Sequence, residues 1–219
     1  MATAAPASGA DRNGGQARTR FARRAVVDAA HQLFLDRGYG ATTIEAISDL
    51  SDVPAATVYR LFSSKRGILK ALLDVSIVGD EEAVPMAQRP HVRALLADPD
   101  PAVQLGGFVA VASDVNSRVA PIYLVLVSAA GADPEAAALL EELTSQRREG
   151  QRMVARSLAR SGALRPGLRE RDAVDVIHAL MSPEVYRLLV LDRHWKPQRY
   201  ERWLTGLLSD QLLAAPSTS

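Results

Sequence analysis

The stretch Gly40-Ala-Thr-Thr-Ile-Glu-Ala-Ile-Ser-Asp-Leu-Ser-Asp-Val-Pro-Ala-Ala-Thr-Val-Tyr-Arg-Leu-Phe-Ser-Ser-Lys65 decides how this chain folds. It reads as two short helices joined by a tight turn. Thr42 followed by Glu45 has the spacing of a capping box, in which a hydroxyl and a carboxylate satisfy the first free amides of a helix. Ile44, Ile47 and Leu50 then recur at helical spacing and are expected to form a buried stripe. Ser51-Asp52-Val53 interrupts that helix, and Asp52 is a residue type that tolerates left-handed backbone. Pro54 fits the first turn of a new helix, where its missing N–H costs nothing. In this second helix, 54–62, Val58 and Phe62 are expected to point inward. Ala55, Ala56, Thr57 and Arg60 then have room to face outward.

Working outward, the preceding residues predict a longer helix over 19–37. Ala22, Val26, Ala29 and Leu33 share one face, with Ala25, Ala30 and Phe34 beside them. Gly38-Tyr39-Gly40 stops it, since glycine enters the left-handed region without a Cβ penalty. Downstream, Ser63 or Ser64 caps a fourth helix that carries Ile68, Leu69, Leu72 and Leu73 to about Val78. A short helix held on two others, with small or polar residues in front, is what entry into a DNA major groove requires. Thr42 and Thr43 lie at a helix N-terminus, where unpaired amides and the helix dipole favour a phosphate. Lys65 is placed to hold a second one. The domain limits expected are a disordered tail over 1–17, a helix-turn-helix domain over 18–65 and a larger helical domain over 66–219.

The rest of the chain reads as all-α. Pro85, Pro90, Pro99 and Pro101 make 80–101 a broken connector with a turn or two of helix around 91–97. Helices are predicted over 102–119, 121–131, 134–162, 170–181, 183–194 and 197–214, with prolines at or near their starts. No alternating β-branched run is long enough for a strand. Apolar residues make up 47% of the chain, ample for a core, while the low aromatic share of 5% favours helices over sheets. The chain contains no cysteine, which excludes disulfides, thiolate metal sites and cysteine nucleophiles. No uninterrupted apolar run approaches the length of a membrane span; 119–131 reads as a buried helix. Ten Lys and Arg against six Asp and Glu in residues 1–70 make a basic head, against 16 and 19 in the remainder. Such an asymmetry fits nucleic-acid contact at the N-terminal end.

Residues Gly40 to Ile47, then Thr57-Val-Tyr-Arg-Leu-Phe-Ser-Ser-Lys65 and Ile68-Leu69, resemble the N-terminal domain of TetR-family repressors. The resemblance is dense over 19–73. It implies a homodimer reading a palindromic operator in double-stranded DNA, released by a small-molecule effector bound in the C-terminal domain. Carried over residue by residue, the DNA face comprises Thr42, Thr43, Ala55, Ala56, Thr57, Tyr59, Arg60 and Lys65. The resemblance assigns Tyr59 and Lys65 to phosphates, and Ala55, Ala56, Thr57 and Arg60 to the neighbourhood of the bases. Two departures stand out. Ser51-Asp-Val-Pro54 replaces the family's Ala-Gly-Val-Ser, removing a side-chain cap. Ala55 and Ala56 offer only methyl groups to thymine methyls, which leaves Arg60 as the candidate reader of a guanine. Outside the motif, Tyr59 reads as a core-edge tyrosine; within it, as a DNA contact. Arg18 and Arg20, with Arg23 and Arg24, are either an arm toward the DNA backbone or a solvated helix start.

Past residue 100 the resemblance is looser, through Gly162-Ala-Leu-Arg-Pro-Gly167 and Ser182-Pro-Glu-Val-Tyr-Arg-Leu-Leu-Val190. It implies a dimer bundle from the last two long helices, with Val185, Leu188, Leu189, Tyr200, Trp203, Leu204, Leu207 and Leu208 as its seam. The same residues would equally close an intramolecular core. Polar residues set into apolar faces, namely Ser113, Asn116, Tyr123 and His178, are candidates to line an effector cavity. The apolar helices around them suit an apolar or amphipathic effector. His31, His91, His178 and His194 show no metal-ligand spacing, and no phosphate loop or nucleophile elbow is present. The expectation is therefore a cytoplasmic transcriptional regulator without catalytic residues, metal, cofactor or membrane contact. An architectural or co-repressor-dependent DNA-binding dimer is the alternative, and a tightly packed C-terminal domain would favour it.

Overall fold

The computed structural model describes residues 9–79 and 86–215, and the chain divides into two compact units, Met1–Leu72 and Leu73–Ser219. That division falls inside a helix and later than the expected 65/66 limit.

In the first unit α1 spans Gly9–Ala41, α2 Ile44–Ser51 and α3 Ala55–Phe62, and α4 starts at Lys65 and runs to Val78. Helix α1 begins well before Thr19, within the segment expected as a disordered tail; residues 1–8 of that tail lie outside the described residues. A helix once nucleated extends upstream at one hydrogen bond per residue, and here it does so through Gly14 and Gly15, which local propensity disfavours. Gly38, at φ 77° and ψ 168°, breaks α1 before its last turn, as expected of a left-handed stop. Val26, Ala30, Phe34, Ile47, Val58, Ile68 and Leu69 are all buried and form the small core. Leu50, expected in the α2 stripe, is instead 46% exposed, because α2 is only eight residues long and ends one residue later. The cap of α2 is also displaced by one. Thr43, not Thr42, accepts from Ala46 N at 3.1 Å, so no reciprocal box with Glu45 forms.

The second unit contains the end of α4, a 3-10 turn at Met86–Gln88, and helices α5 (Pro90–Ala97), α6 (Pro101–Ala130), α7 (Pro134–Arg160), α8 (Glu170–Leu180), α9 (Pro183–Tyr186) and α10 (Pro197–Leu212). Asp100 and Asp133 cap α6 and α7 by accepting from the first free amides, and Pro101 and Pro134 begin them. Pro121 was expected to separate two helices, yet α6 passes through it. Val119, Ala120 and Ile122 are all buried around it, and that packing outweighs a penalty of about 3 kcal/mol for an internal proline. The expected 183–194 helix is α9 followed by a π-helical turn over Arg187–Leu191. The core gathers Leu105, Ala155, Leu158, Ile177, Tyr200, Leu204 and Leu208. Among the described residues there is no strand, only an isolated antiparallel bridge between Leu164 and Leu213. Helix α6 is long and apolar enough to cross a membrane, but it packs most closely against α7 and α10.

Candidate functional site

The turn between α2 and α3 is built by its polar residues. Asp52 takes the left-handed conformation at φ 54° and ψ 30°, which the sequence anticipated. Ser48 Oγ donates to Val53 O at 2.8 Å and Ser51 Oγ to Ser48 O at 3.3 Å, so both hydroxyls brace the corner. Pro54 is the N-cap of α3 rather than its first helical residue, and no side chain caps that helix. Its carbonyl nevertheless receives Thr57 N and Val58 N.

Helix α3 then divides cleanly by face. Val58 and Phe62 are buried, while Ala56, Tyr59 and Arg60 are exposed and Ala55 and Thr57 half-buried. Tyr59 is 48% exposed, so it is no core-edge residue. Arg60 has no ion-pair partner among the described residues. The far end of α3 is tied to α1, because Arg23 Nη1 donates to Leu61 O at 2.9 Å and its guanidinium lies 4.5 Å from the Phe62 ring centroid. Arg23, though exposed, is thus a tether between α1 and α3. Arg18 and Arg20 are exposed on α1.

Two of the expected DNA contacts are bonded inside the domain. Thr42 is fully buried, with its hydroxyl 2.8 Å from Gly38 O and 3.2 Å from Leu33 O, so it serves the end of α1 and cannot present its side chain to a phosphate. Lys65 Nζ donates to Tyr39 O at 2.8 Å and to Thr42 O at 2.9 Å, and lies 4.3 Å from the Tyr39 ring centroid. A cation on the last carbonyls of a helix neutralises its negative end. Thr43, at the exposed N-terminus of α2, keeps the position expected of it. A Cβ at Gly67 would collide with Phe62 O, so the close passage from α3 into α4 requires that glycine.

In the second unit a cavity of about 650 Å³ lies among α4, α6, α7 and α8. Its walls are mostly apolar, from Phe108, Val111, Val119, Leu143, Met153 and Ile177 among others. Of the four sequence candidates, Asn116 and Tyr123 line it. Ser113 is buried on α6 but does not reach the cavity, because its helical position turns it away from that wall. His178 stands behind the wall, bonded to two residues that form it. Arg147 Nη2 donates to His178 Nε2 at 2.9 Å, and His178 Nδ1 lies 2.7 Å from Gln151 Oε1.

The roles in this chain follow from chemistry. A guanidinium can only donate, so His178 Nε2 must accept and the imidazole proton sits on Nδ1. Gln151 must therefore present its carbonyl oxygen to His178. Burial, then the nearby charges of Arg147 and Arg148, hold His178 below the usual histidine range, which keeps it neutral. Tyr123 OH donates to Glu184 Oε1 at 3.0 Å; burial and the Glu184 carboxylate raise its phenol above the ordinary value. Arg147 Nη1 faces Glu184 Oε2 at 3.9 Å, and Asn116 Nδ2 donates to Met181 O at 3.3 Å. Arg147, Gln151 and Glu184 escaped the sequence reading. A signal existed for two of them. The α7 stripe 136, 139, 143, 147, 151, 154, 158 advances in steps of three and four, and Arg147 and Gln151 are the polar members of it.

Of the expected dimer seam, Tyr200, Leu204 and Leu208 are fully buried in their own unit and cannot face a partner. Tyr200 packs edge-on to Tyr186 with centroids 5.1 Å apart. Val185, Leu189 and Trp203 are partly buried against the same core, Leu207 is half-buried, and Leu188 is 49% exposed. The intramolecular alternative therefore holds for the three deepest residues.

A short helix with an exposed polar face, braced at a helix-turn-helix corner, defines a DNA-binding transcriptional regulator. Residues 26–72 match the model of bacterial regulatory proteins of the TetR family, a match that lies within the helix-turn-helix unit. It is 25% identical over 181 residues to the uncharacterised helix-turn-helix transcriptional regulator YdeS of Bacillus subtilis, a match covering 80% of this chain and 82% of that relative. The fold matches that of NalD, the secondary repressor of the MexAB-OprM multidrug efflux pump in Pseudomonas aeruginosa, with a TM-score of 0.71 at 21% identity, over 89% of this chain and 98% of the other. It also matches SmeT in its complex with triclosan, with a TM-score of 0.70 at 17% identity, over 90% and 96% of the two chains.

Proposed function

We propose that the protein is a ligand-responsive repressor that binds a palindromic operator as a homodimer and leaves it when a small molecule occupies the second unit. The observation that carries this reading is the exposed face of α3, where Ala55, Ala56, Thr57, Tyr59 and Arg60 stand clear of a core made by Val58 and Phe62. In this reading Arg60 reads a base, while Tyr59 and the amides behind Thr43 hold phosphates. One helix of this length contacts too few base pairs for useful specificity, so a two-fold partner doubles the site. Leu188 and Leu191, exposed at the π-helical turn, together with Leu207 and Trp203, are the residues we assign to that partner's face.

The cavity weighs against a purely architectural dimer, which would gain from a filled second unit. The resemblance to a repressor of an efflux pump and to SmeT in its complex with triclosan supports release by a small molecule. The test is selection of bound duplexes from a randomised library, followed by anisotropy titration at two salt concentrations. A palindrome with half-sites about one helical turn apart, bound by two protomers and weakened by salt, is the expected result. No enrichment over random DNA would overturn the reading.

A further inference from the structure

The cavity's polar groups define what kind of molecule it takes, an inference that rests on the ligand-responsive reading above. The donor-only guanidinium of Arg147 fixes the His178 tautomer, and that tautomer fixes Gln151. With Oε1 committed to His178, Gln151 is left with its amide Nε2, a donor without a partner among the described residues. Gln151 lines the cavity, and the apolar side chains of Val154, Met153 and Ile177 line it as well.

Charge decides between head groups. Among the lining residues the single cation is Arg147, which already faces Glu184 at 3.9 Å and donates to His178. The other ionic lining residues are Asp74 and Glu149, both exposed at the rim, with Glu149 paired to Arg152 at 3.1 Å. A carboxylate entering this site would lose its water and gain no cation that is not already matched by Glu184. A neutral oxygen accepts from Gln151 at no such cost. We propose that the effector is an uncharged, predominantly apolar molecule whose acceptor oxygen, a carbonyl or ether, is held by Gln151 Nε2–H against the α7 wall.

The experiment uses the full chain without DNA. Nile red, neutral and carrying a ring carbonyl, is titrated as a fluorescent probe. It is then displaced by three compounds with one tail: methyl dodecanoate, dodecanoate and dodecyltrimethylammonium. The ester is expected to displace at about one-tenth the concentration of either ion at pH 8, and all three to bind more weakly to Val111→Trp, which narrows the cavity. Gln151→Glu keeps an oxygen for His178 and replaces the free donor by an acceptor; with an unchanged melting temperature, it should weaken ester binding about tenfold or more. Preference for dodecanoate or for the ammonium compound, or an unaffected ester in Gln151→Glu, overturns the proposed ligand class while leaving the regulator reading intact. Absence of binding by every probe overturns the cavity as an effector site, and operator binding in the same preparation shows whether the regulator reading survives.

Discussion

Lys65, the first residue of α4, anchors Tyr39, near the last residue of α1: its ammonium donates to the Tyr39 carbonyl at 2.8 Å and lies 4.3 Å from that ring's centroid. A lysine that resemblance assigns to a phosphate is thus occupied within the domain. Lys65→Ala should lower the stability of the N-terminal unit by about 1–2 kcal/mol, since charge-assisted bonds to two carbonyls are lost. Denaturant melts of the isolated change against the parent chain measure this. The slope of operator affinity against salt should stay the same. A slope reduced by about one, with stability unchanged, would return Lys65 to the phosphate backbone.

Thr42 and Thr43 look interchangeable as letters and differ completely in place. Thr42→Val is close in shape and removes only a hydroxyl that donates to Gly38 and Leu33 carbonyls, so it should cost about 1 kcal/mol in stability. Operator affinity of the folded protein should not change. Thr43→Ala removes an N-cap beside the proposed phosphate site, and both readouts should fall. A loss of affinity in Thr42→Val at full stability would contradict this division of roles.

Arg60 is exposed on the front of α3 with no ion-pair partner among the described residues, which is the condition for a side chain that pairs with a base. Arg60→Ala should cost about 1–3 kcal/mol and relax selection at one position of each half-site. Repeating the library selection with the variant reads this directly. An even loss across all sequences would make Arg60 a phosphate contact.

The first unit was largely legible because short-range rules govern it. Glycine stopped α1 at Gly38, Asp52 took the left-handed turn, and Val58 and Phe62 turned inward as their spacing requires. What the spacing could not supply was which of two adjacent threonines caps α2, since either hydroxyl satisfies the pattern. The second unit was less legible because packing overrode local signals. Pro121 would end an exposed helix, yet α6 continues through it inside a core. The expected dimer seam failed at Tyr200, Leu204 and Leu208 for a similar reason. An apolar stripe reports only that a face is covered, and does not say whether by the same chain or a second copy. In the cavity, Asn116 and Tyr123 were found as polar residues among apolar ones, whereas Arg147 was passed over because an arginine on a long helix usually faces water. Here it is 23% exposed and holds the tautomer of His178.

His178 makes the second unit sensitive to acid in a direction the structure fixes. Burial holds its pKa below the ordinary value, with Arg147 and Arg148 of α7 acting the same way and Glu184 of α9 and Asp175 of its own helix opposing them. The unfolded chain therefore takes up the proton first as pH falls through about 6.5, and the folded chain follows only at lower pH. Between those two values the unfolded state binds more protons, so the contribution of neutral His178 to stability is full above pH 7 and shrinks with acid. Protonation also places an N–H on Nε2 against the Arg147 donor, which breaks that bond and displaces the imidazole whose Nδ1–H orients Gln151. The measurement is the melting temperature of the parent chain minus that of His178→Asn, followed from pH 7.5 to 5. The difference should decline steadily below pH 6.5, and affinity for methyl dodecanoate should decline with it in the parent alone. A difference that stays level or grows in acid would mean that His178 is charged in the folded protein and that the assigned tautomer is wrong.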